Sequence, residues 1–340
     1  AETIHKFIGL IAGSYTPTTD IDSEYVICDE SSMIDAKLFY VLLKSVCDAN
    51  ASLTLVGDVN QLCPVNAGFP FRDLIMSGMV PTTRLITLFR TSEQNLINVN
   101  ANLVLNGNSN LVNSIDRNDF KFFFLEDSTL IKDYLIRCID TLQSNGISKD
   151  DIVVLSPMNK SDLGVYELNI LLQSYYNQNG VENRRSFRAN MYNIYEQDTV
   201  MQLKNDSELN IFNGDIGRVI NINEDENEVI VEFEDFENVN HSVVEYKRQV
   251  SYEFDKAKQE LILAYATTVH KSQGCEYPVV LMPIHSSLVN MNRNLLYTAL
   301  TRAKQHCILI GDYKALQSAL RREGSNIRYT TLIDRIKMSQ

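Results

Sequence analysis

The chain has 340 residues, 44% apolar and 22% charged, a composition that supports packed cores and excludes disorder as its main state. Its 43 acids outnumber 31 Lys and Arg, and the net charge of −12 excludes retention on nucleic acid by bulk positive charge, though not a local groove. Six scattered cysteines without a C-x-x-C pair, and only five His, argue against a zinc site or disulfide scaffold and for free thiols in a reducing cytoplasm.

By length the chain holds about two domains. Tyr25-Val-Ile-Cys28 reads as a buried strand ending in Asp29-Glu30, and Met33 to Val46 has helical spacing. Leu53-Thr-Leu-Val56 reads as a second buried strand, ending in Gly57-Asp58. Strand, helix and strand with short links predict a parallel βαβ unit, and ligands of such sheets sit beyond the carboxyl ends of the strands. Further on, Asp151 to Leu155, Val279 to Met282 and Cys307 to Ile310 read as strands, with helices over Gly164 to Tyr176 and Leu295 to Arg302. They predict a second α/β domain. Gly217 to Ile222 and Glu228 to Phe233 alternate apolar and polar residues between turn signals, which predicts a small β-barrel or meander inserted at about Tyr195 to Tyr252. Eight acids and no Lys or Arg lie between Glu224 and Glu237, so this stretch reads as a solvated face away from nucleic acid. Arg184, Arg185 and Arg188 are the better candidates for phosphate contact, with a solvated basic loop as the open alternative. No apolar run approaches the about 18 residues of a membrane span.

Five strings carry chemistry. Adjacent Asp29 and Glu30 at a strand end can hold Mg²⁺ and polarise an attacking water; an ordinary solvated strand exit is the bland alternative. In Gly57-Asp-Val-Asn-Gln61 the glycine permits a tight exit, Asp58 can cap or reach a phosphate, and Gln61 can sense a terminal phosphate. Arg90, after Phe89, and Arg302, at the end of a helix, are candidates to neutralise a phosphoryl group in flight; a surface arginine and a helix-end charge are the alternatives. Thr268, His270 and Gln273 offer neutral donors and a flat ring to a phosphodiester chain, and Glu276 can bond a ribose hydroxyl.

Together and in this order, the strings resemble the superfamily 1 helicases, most closely the RecD/TraA-like branch. Thr3-Ile-His5, Asp29-Glu-Ser-Ser-Met33, Gly57-Asp-Val-Asn-Gln61, Phe89-Arg90, Thr268-Val-His-Lys-Ser-Gln-Gly274 and Leu296-Tyr-Thr-Ala-Leu-Thr-Arg-Ala-Lys304 carry the resemblance, and Asn213-Gly-Asp-Ile-Gly217 looks like the opening of the family's SH3-like barrel. The resemblance runs from Thr3 to about Leu332. It implies an α/β fold of two RecA-like parallel-sheet domains with ATP in the cleft between them and an inserted SH3-like β-barrel. The expected boundaries are 1–112 for an incomplete first RecA-like domain with a pin-like segment at about 10–23, 113–194 and 253–340 for the second, and 195–252 for the barrel. It implies ATP and Mg²⁺ as cofactors, single-stranded DNA or a forked duplex as partner, movement 5′ to 3′, and work in cytoplasmic DNA repair and recombination. By position, Asp29 is the Mg²⁺ ligand and Glu30 the water-activating acid, while Gln61, Arg90 and Arg302 face the terminal phosphate. Gly57, Asp58, Gly274 and Glu276 belong with the nucleotide, and Thr268, His270 and Gln273 with the DNA.

One departure outweighs the matches: no G-x-x-x-x-G-K-[ST] loop occurs in the 340 residues. A smaller one is Thr91, where many relatives carry Gln. The favoured expectation is a piece of a longer helicase, inactive without the missing segment. Its first sheet would lack strands and offer an open edge, poorly ordered or covered by a partner chain. A non-catalytic nucleic-acid-binding or assembly module on a degenerate scaffold, and a viral-type RNA helicase, stay open as alternatives.

Overall fold

The computed structural model describes residues 2–11, 14–85, 95–177, 185–206, 208–239, 242–322, 328 and 330–338. The chain divides into two compact units: Ala1–Leu111 with Asn292–Thr301 and Ser318–Gln340, and Val112–Met291 with Arg302–Gln317.

The first unit opens with α1 (Ile4–Phe7), followed by β1 (Tyr25–Cys28), α2 (Ala36–Asp48), β2 (Ser52–Leu55), α3 (Pro70–Ser77) and α4 (Leu96–Leu105). Helix α2 starts where the Asp35 carboxylate accepts from the backbone N–H of Lys37 at 2.9 Å and Leu38 at 2.8 Å, an N-cap that satisfies two otherwise orphan donors. Its apolar stripe of Phe39, Leu42 and Val46 packs with Val26 and Cys28 into the core of this unit. β1 and β2 pair in parallel, Tyr25 opposite Ser52 and Cys28 opposite Leu55, as a two-stranded sheet among the described residues. The described residues of the expected pin, 10–11 and 14–23, form no strand.

The second unit begins with β3 (Phe120–Phe124), α5 (Ser128–Ser144), β4 (Ile152–Ser156) and α6 (Val165–Tyr176). There follow the hairpin β5 (Ser186–Ala189) and β6 (Tyr192–Tyr195), then β7 (Thr199–Gln202), β8 (Ile216–Asn223), β9 (Glu228–Val239) and β10 (Ser242–Glu253). Next come α7 (Phe254–Glu260), β11 (Leu261–Leu263), β12 (Ala266–Thr268) and β13 (Tyr277–Ile284). α8 (Arg293–Thr301) lies in the first unit, β14 (Ala303–Gly311) returns to the second, and α9 (Tyr313–Arg321) and α10 (Leu332–Met338) close the chain.

Five strands in the order β12-β4-β13-β14-β3 form a wholly parallel sheet. Parallel strands buried on both faces read as continuous apolar runs, and Val279 to Met282 on β13 and Cys307, Leu309 and Ile310 on β14 are fully buried. Inserted before β12 is a five-stranded antiparallel sheet in the order β10-β9-β8-β7-β11, with inward residues such as Val219, Val231 and Tyr252 sharing one core with Tyr192 and Ile194 of the β5–β6 hairpin. The fold class is therefore α/β with parallel sheets and an antiparallel insertion, as the sequence predicts. The sequence boundaries put 292–301 and 318–340 in the second domain; the structure packs α8 on α4 and α10 on α3, within the first unit.

Candidate functional site

In the first unit, chemistry gathers where β1 and β2 end. Val56 N–H donates to the Cys28 carbonyl and Ser31 N–H to the Val56 carbonyl, both at 2.8 Å, so the two strand exits are laced together. The Ser31 hydroxyl donates to Cys28 O at 2.8 Å and closes the turn. Gly57 is what lets them approach: a Cβ there would stand 3.0 Å from Ser32 N and 3.1 Å from Ser31 N. Asp29 accepts the Glu30 N–H at 2.8 Å, and Glu30 sits at φ +49°, a left-handed conformation that costs a side-chain-bearing residue energy and that tends to mark functional sites. Asp29 is exposed and Glu30 half-buried. Neither carboxylate has an ion-pair partner among the described residues.

Gln61 is buried, and its Oε1 has no hydrogen-bond partner; the hydroxyl of fully buried Ser32 is likewise unmet. A buried polar atom left without a partner costs about 1–3 kcal/mol, and such atoms call for an explanation. The loop that carries Gln61 is held by α8. Tyr297 donates its hydroxyl to Asp58 at 2.8 Å, Asn294 donates to Asn60 O at 2.9 Å, and Leu62 N–H donates to the Thr298 hydroxyl at 3.1 Å. Asp58 also accepts the Asn60 N–H at 2.9 Å, so both of its oxygens are engaged by the chain itself. The Arg328 guanidinium donates to the carbonyls of Pro64, Asn66 and Gly68, fixing the same loop from the C-terminal side. Arg90 lies outside the described residues.

In the second unit, Thr268 ends β12 and opens a tight turn. Its hydroxyl accepts Lys271 N–H at 3.2 Å, its carbonyl accepts Ser272 N–H at 3.1 Å, and Val269 N–H donates to Ser156 O of β4 at 3.1 Å. Val269 and Ser272 are fully buried anchors, which turns His270 outward and leaves Gln273 half-buried. The protein beneath the His270 ring strips some of its water and lowers its pKa, so at neutral pH it offers an uncharged ring. Gly274 ends the turn at φ +79°, with nothing within 4 Å of the position of an added Cβ; backbone conformation, not space, selects glycine here. Arg302 is only 4% exposed, donates Nη1–H to Cys275 O at 3.1 Å, and leaves its buried Nε without a partner. The turn and the arginine thus share one residue, Cys275. Glu276 pairs with Lys304 at 3.3 Å.

The structure therefore brings Asp29, Glu30, Gly57, Asp58 and Gln61 together in the first unit, and Thr268, His270, Gln273, Gly274, Glu276 and Arg302 along one turn and its neighbour in the second. Sequence reasoning gave no role to Asn294, Tyr297 and Thr298. The signal was present, since all three stand in or beside the quoted string that ends at Lys304, but their partners lie 234 to 239 positions away. Arg185 donates to Ile222 O at 3.2 Å, Arg188 is exposed on β5, and Arg184 lies outside the described residues.

Residues 1–120 match the AAA domain family, 168–233 the SH3 domain of ATP-dependent RecD-like DNA helicases, and 263–310 the UvrD-like helicase C-terminal domain. The chain is 31% identical over 342 residues to the ATP-dependent RecD2 DNA helicase of Deinococcus radiodurans, covering 99% of this chain and 43% of that protein. It is 24% identical to the RecBCD enzyme subunit RecD of Buchnera aphidicola, over 97% of this chain and 61% of the relative. The chain thus spans about half the length of these relatives. A crystal structure of Pif1 helicase from Bacteroides in complex with ADP-AlF3 and ssDNA is similar at 18% identity and a TM-score of 0.49, over 98% of this chain and 82% of that one. No helix among the described residues is long and apolar enough to cross a membrane. By its three domain matches and its similarity to RecD2 along 99% of its own residues, the chain resembles the RecD-like superfamily 1 helicases.

Proposed function

We propose that the chain is the motor segment of an ATP-dependent DNA helicase or translocase that moves 5′ to 3′ on single-stranded DNA. The observation that supports it most is the pair of strand exits: two carboxylates without ion-pair partners after β1 and, on the loop that follows β2, a buried glutamine whose Oε1 is unmet. Among the described residues no three His, Cys, Asp or Glu side chains gather as a metal-binding group. The donor set still fits Mg²⁺–ATP, because Mg²⁺ takes one or two carboxylates and completes its shell with water and phosphate oxygens. Bound there, Mg²⁺–ATP supplies the phosphoanhydride whose hydrolysis drives movement.

In this reading Asp29 holds the metal, and Glu30 accepts the proton of the attacking water. Gln61 reads the terminal phosphate, and Arg302 and Arg90 neutralise its charge. Asp58 acts as a positioning residue: its bond to Tyr297 fixes the loop that presents Gln61. Glu276 and Gly274 serve the nucleotide. Thr268, His270 and Gln273 hold the strand, and Cys275 links that grip to Arg302. Because the 340 residues contain no P-loop, we propose that turnover needs that loop supplied with them, in a longer chain or by a partner. Cytoplasmic DNA repair and recombination belong to the same proposal.

The test is ATP hydrolysis stimulated by single-stranded DNA, comparing the 340-residue chain with the product of its full reading frame. In the active protein, Glu30→Gln should lower turnover by about 100-fold or more while ATP still binds. Unchanged turnover removes Glu30 from the role. Silence in both proteins with DNA binding retained would favour the non-catalytic scaffold.

A further inference from the structure

The loop that carries Gln61 is held at both of its ends within the first unit. Upstream, α8 engages Asp58, Asn60 and Leu62. Downstream, the chain bends over 65–67, and the carbonyls of Pro64, Asn66 and Gly68 converge on one guanidinium. Arg328 Nη1 donates to Asn66 O and, at 3.0 Å, to Gly68 O, while Nη2 donates to Pro64 O and, at 3.3 Å, to Cys63 Sγ. The Ala67 carbonyl accepts instead the Ala36 N–H at 2.9 Å, and Asn66 Nδ2 donates to the Asp35 carboxylate at 2.9 Å, so the same bend is also tied to the start of α2. Gly68 sits at φ +92°, and a Cβ there would stand 2.5 Å from the Ala36 Cβ, so conformation and space both select glycine.

Carbonyls in such a bend have no helix or strand to pair with, and a planar fork of several N–H donors can satisfy more of them at once than a compact ammonium can. Arg328 is half-buried and has no ion-pair partner among the described residues, so its donors are directed at the loop backbone and not at a carboxylate. It arrives from 260 to 265 positions away along the chain. The segment that carries it is docked beside the loop, since α10 packs on α3 and α3 begins just after Gly68. The apolar core of this unit, built from residues such as Val26, Leu42 and Val46, does not include Arg328. Its polar contacts are confined to Cys63 through Gly68, immediately after buried Gln61 with its unmet Oε1.

We infer that Arg328 is a positioning residue for ATP hydrolysis: it holds the bend from Pro64 to Gly68 so that Gln61 keeps the place from which it reads the terminal phosphate. The inference rests on the proposed role of Gln61 and adds the C-terminal segment to what that role requires. A side chain that acts on a reacting group needs its supports to hold it within about 0.5 Å. With α8 alone, the loop keeps its upstream anchor and loses the downstream one, and Gln61 stands between the two.

Two measurements test it. In the 340-residue chain, amide hydrogen exchange followed by mass spectrometry should show Arg328→Gln speeding exchange over residues 59–69 by about tenfold or more, while the paired strands β1 and β2 keep their rates. In the product of the full reading frame, DNA-stimulated ATP hydrolysis is measured for Arg328→Gln, Gln61→Ala and the double variant. Arg328→Gln should lower kcat about ten- to 100-fold with KM for ATP within about twofold, and should change kcat by less than about twofold once Gln61 is Ala. Arg328→Lys covers the case in which Arg328→Gln does not fold: it keeps the charge, but one ammonium cannot meet three carbonyls, so it should show a smaller loss with the same dependence on Gln61. A loss of equal size with and without Gln61 would mean that Arg328 supports the fold in general, and the inference is overturned. Unchanged exchange over 59–69, or unchanged kcat, overturns it as well, and the proposed function stands without it. If the product of the full reading frame hydrolyses no ATP in the presence of DNA, the proposed function falls and the inference falls with it.

Discussion

The two parallel sheets are written in nearly the same letters and buried differently. On β13, Val279 to Met282 are all 0% exposed; on β1, Val26 and Cys28 are buried, but Tyr25 and Ile27 on the opposite face are each 74% exposed. In the larger sheet both faces are packed. In the two-stranded sheet of the first unit, α2 covers one face, and the other presents a tyrosine and an isoleucine to solvent. A short apolar run announces a strand. How many of its faces are covered depends on what packs there, and nothing in four residues encodes that.

The largest expected effect lies in the sheet packed on both faces. Leu281 is fully buried and paired with both Val154 and Ile308. Leu281→Ala should lower stability by about 3 kcal/mol, the lost transfer energy plus a cavity that a parallel sheet held on both sides closes poorly. Urea unfolding of the second unit measures it, and a cost below about 1 kcal/mol would show that this core relaxes freely.

The next effect comes from a buried carboxylate that joins the antiparallel insertion to α6. Asp198 accepts from Tyr195 N–H at 2.8 Å, Gln173 at 2.5 Å, the Tyr265 hydroxyl at 2.8 Å and Asn177, with no cation among these donors. Asp198→Asn keeps the shape but turns an amide donor toward these donors, which should cost about 1–3 kcal/mol. Burial raises the Asp198 pKa above 3.8, although its hydrogen bonds pull it down. The folded protein therefore holds this proton more tightly than the unfolded chain. Its contribution to stability is full in acid and is lost as pH rises from 3.8 through the folded value. The variant lacks that slope, so its deficit should be greatest in acid and narrow across that window. A deficit that widens there would reverse the assigned sign.

These two residues also mark what the sequence could and could not tell. Strands β1, β2, β4, β13 and β14, helices α2, α6 and α8, and the antiparallel insertion follow from apolar spacing and turn signals and stand within a few residues of where the pattern puts them, whereas β3, α3, α4, α5, α9 and α10 drew no reading from the sequence. The acids after β1 and the glycine after β2 are legible because their chemistry is local. The Asp198 knot is not, since its donors come from α6 and its C-terminal cap, from the end of β6 and from the residue before β12. The α8 clamp on the Gln61 loop is hidden for the same reason. Contacts between distant residues are set by packing, and a single sequence carries no local mark of them.

A third substitution should act in the opposite direction. Glu30 adopts φ +49° at the exit of β1, where glycine would be at ease. Glu30→Gly should raise the stability of the first unit by about 0.5–1 kcal/mol, relief of the left-handed conformation outweighing the greater freedom of the unfolded chain. The same change removes the carboxylate proposed to activate water, so stability and turnover should part company. A destabilised variant would mean that the Glu30 side chain supports the fold, and its proposed catalytic assignment would weaken.

The smallest effect decides whether the two sheets differ as described. Ile27 points to the face of β1 away from α2, and its neighbour Cys28 points inward. If that face is solvated in this chain, Ile27→Ala removes little buried surface and should change stability by less than about 0.5 kcal/mol, against about 3 for Leu281→Ala on the other sheet. Replacing Ile27 with Thr, which keeps the branched shape suited to a strand, should be equally mild and should improve solubility by breaking up an exposed apolar surface. A cost near that of Leu281→Ala would mean that something covers β1 in solution, from the same chain or from a second copy. Sedimentation of the parent chain separates those two cases: self-association that Ile27→Thr abolishes assigns the cover to a second copy, and a monomer with the full cost assigns it to the chain itself.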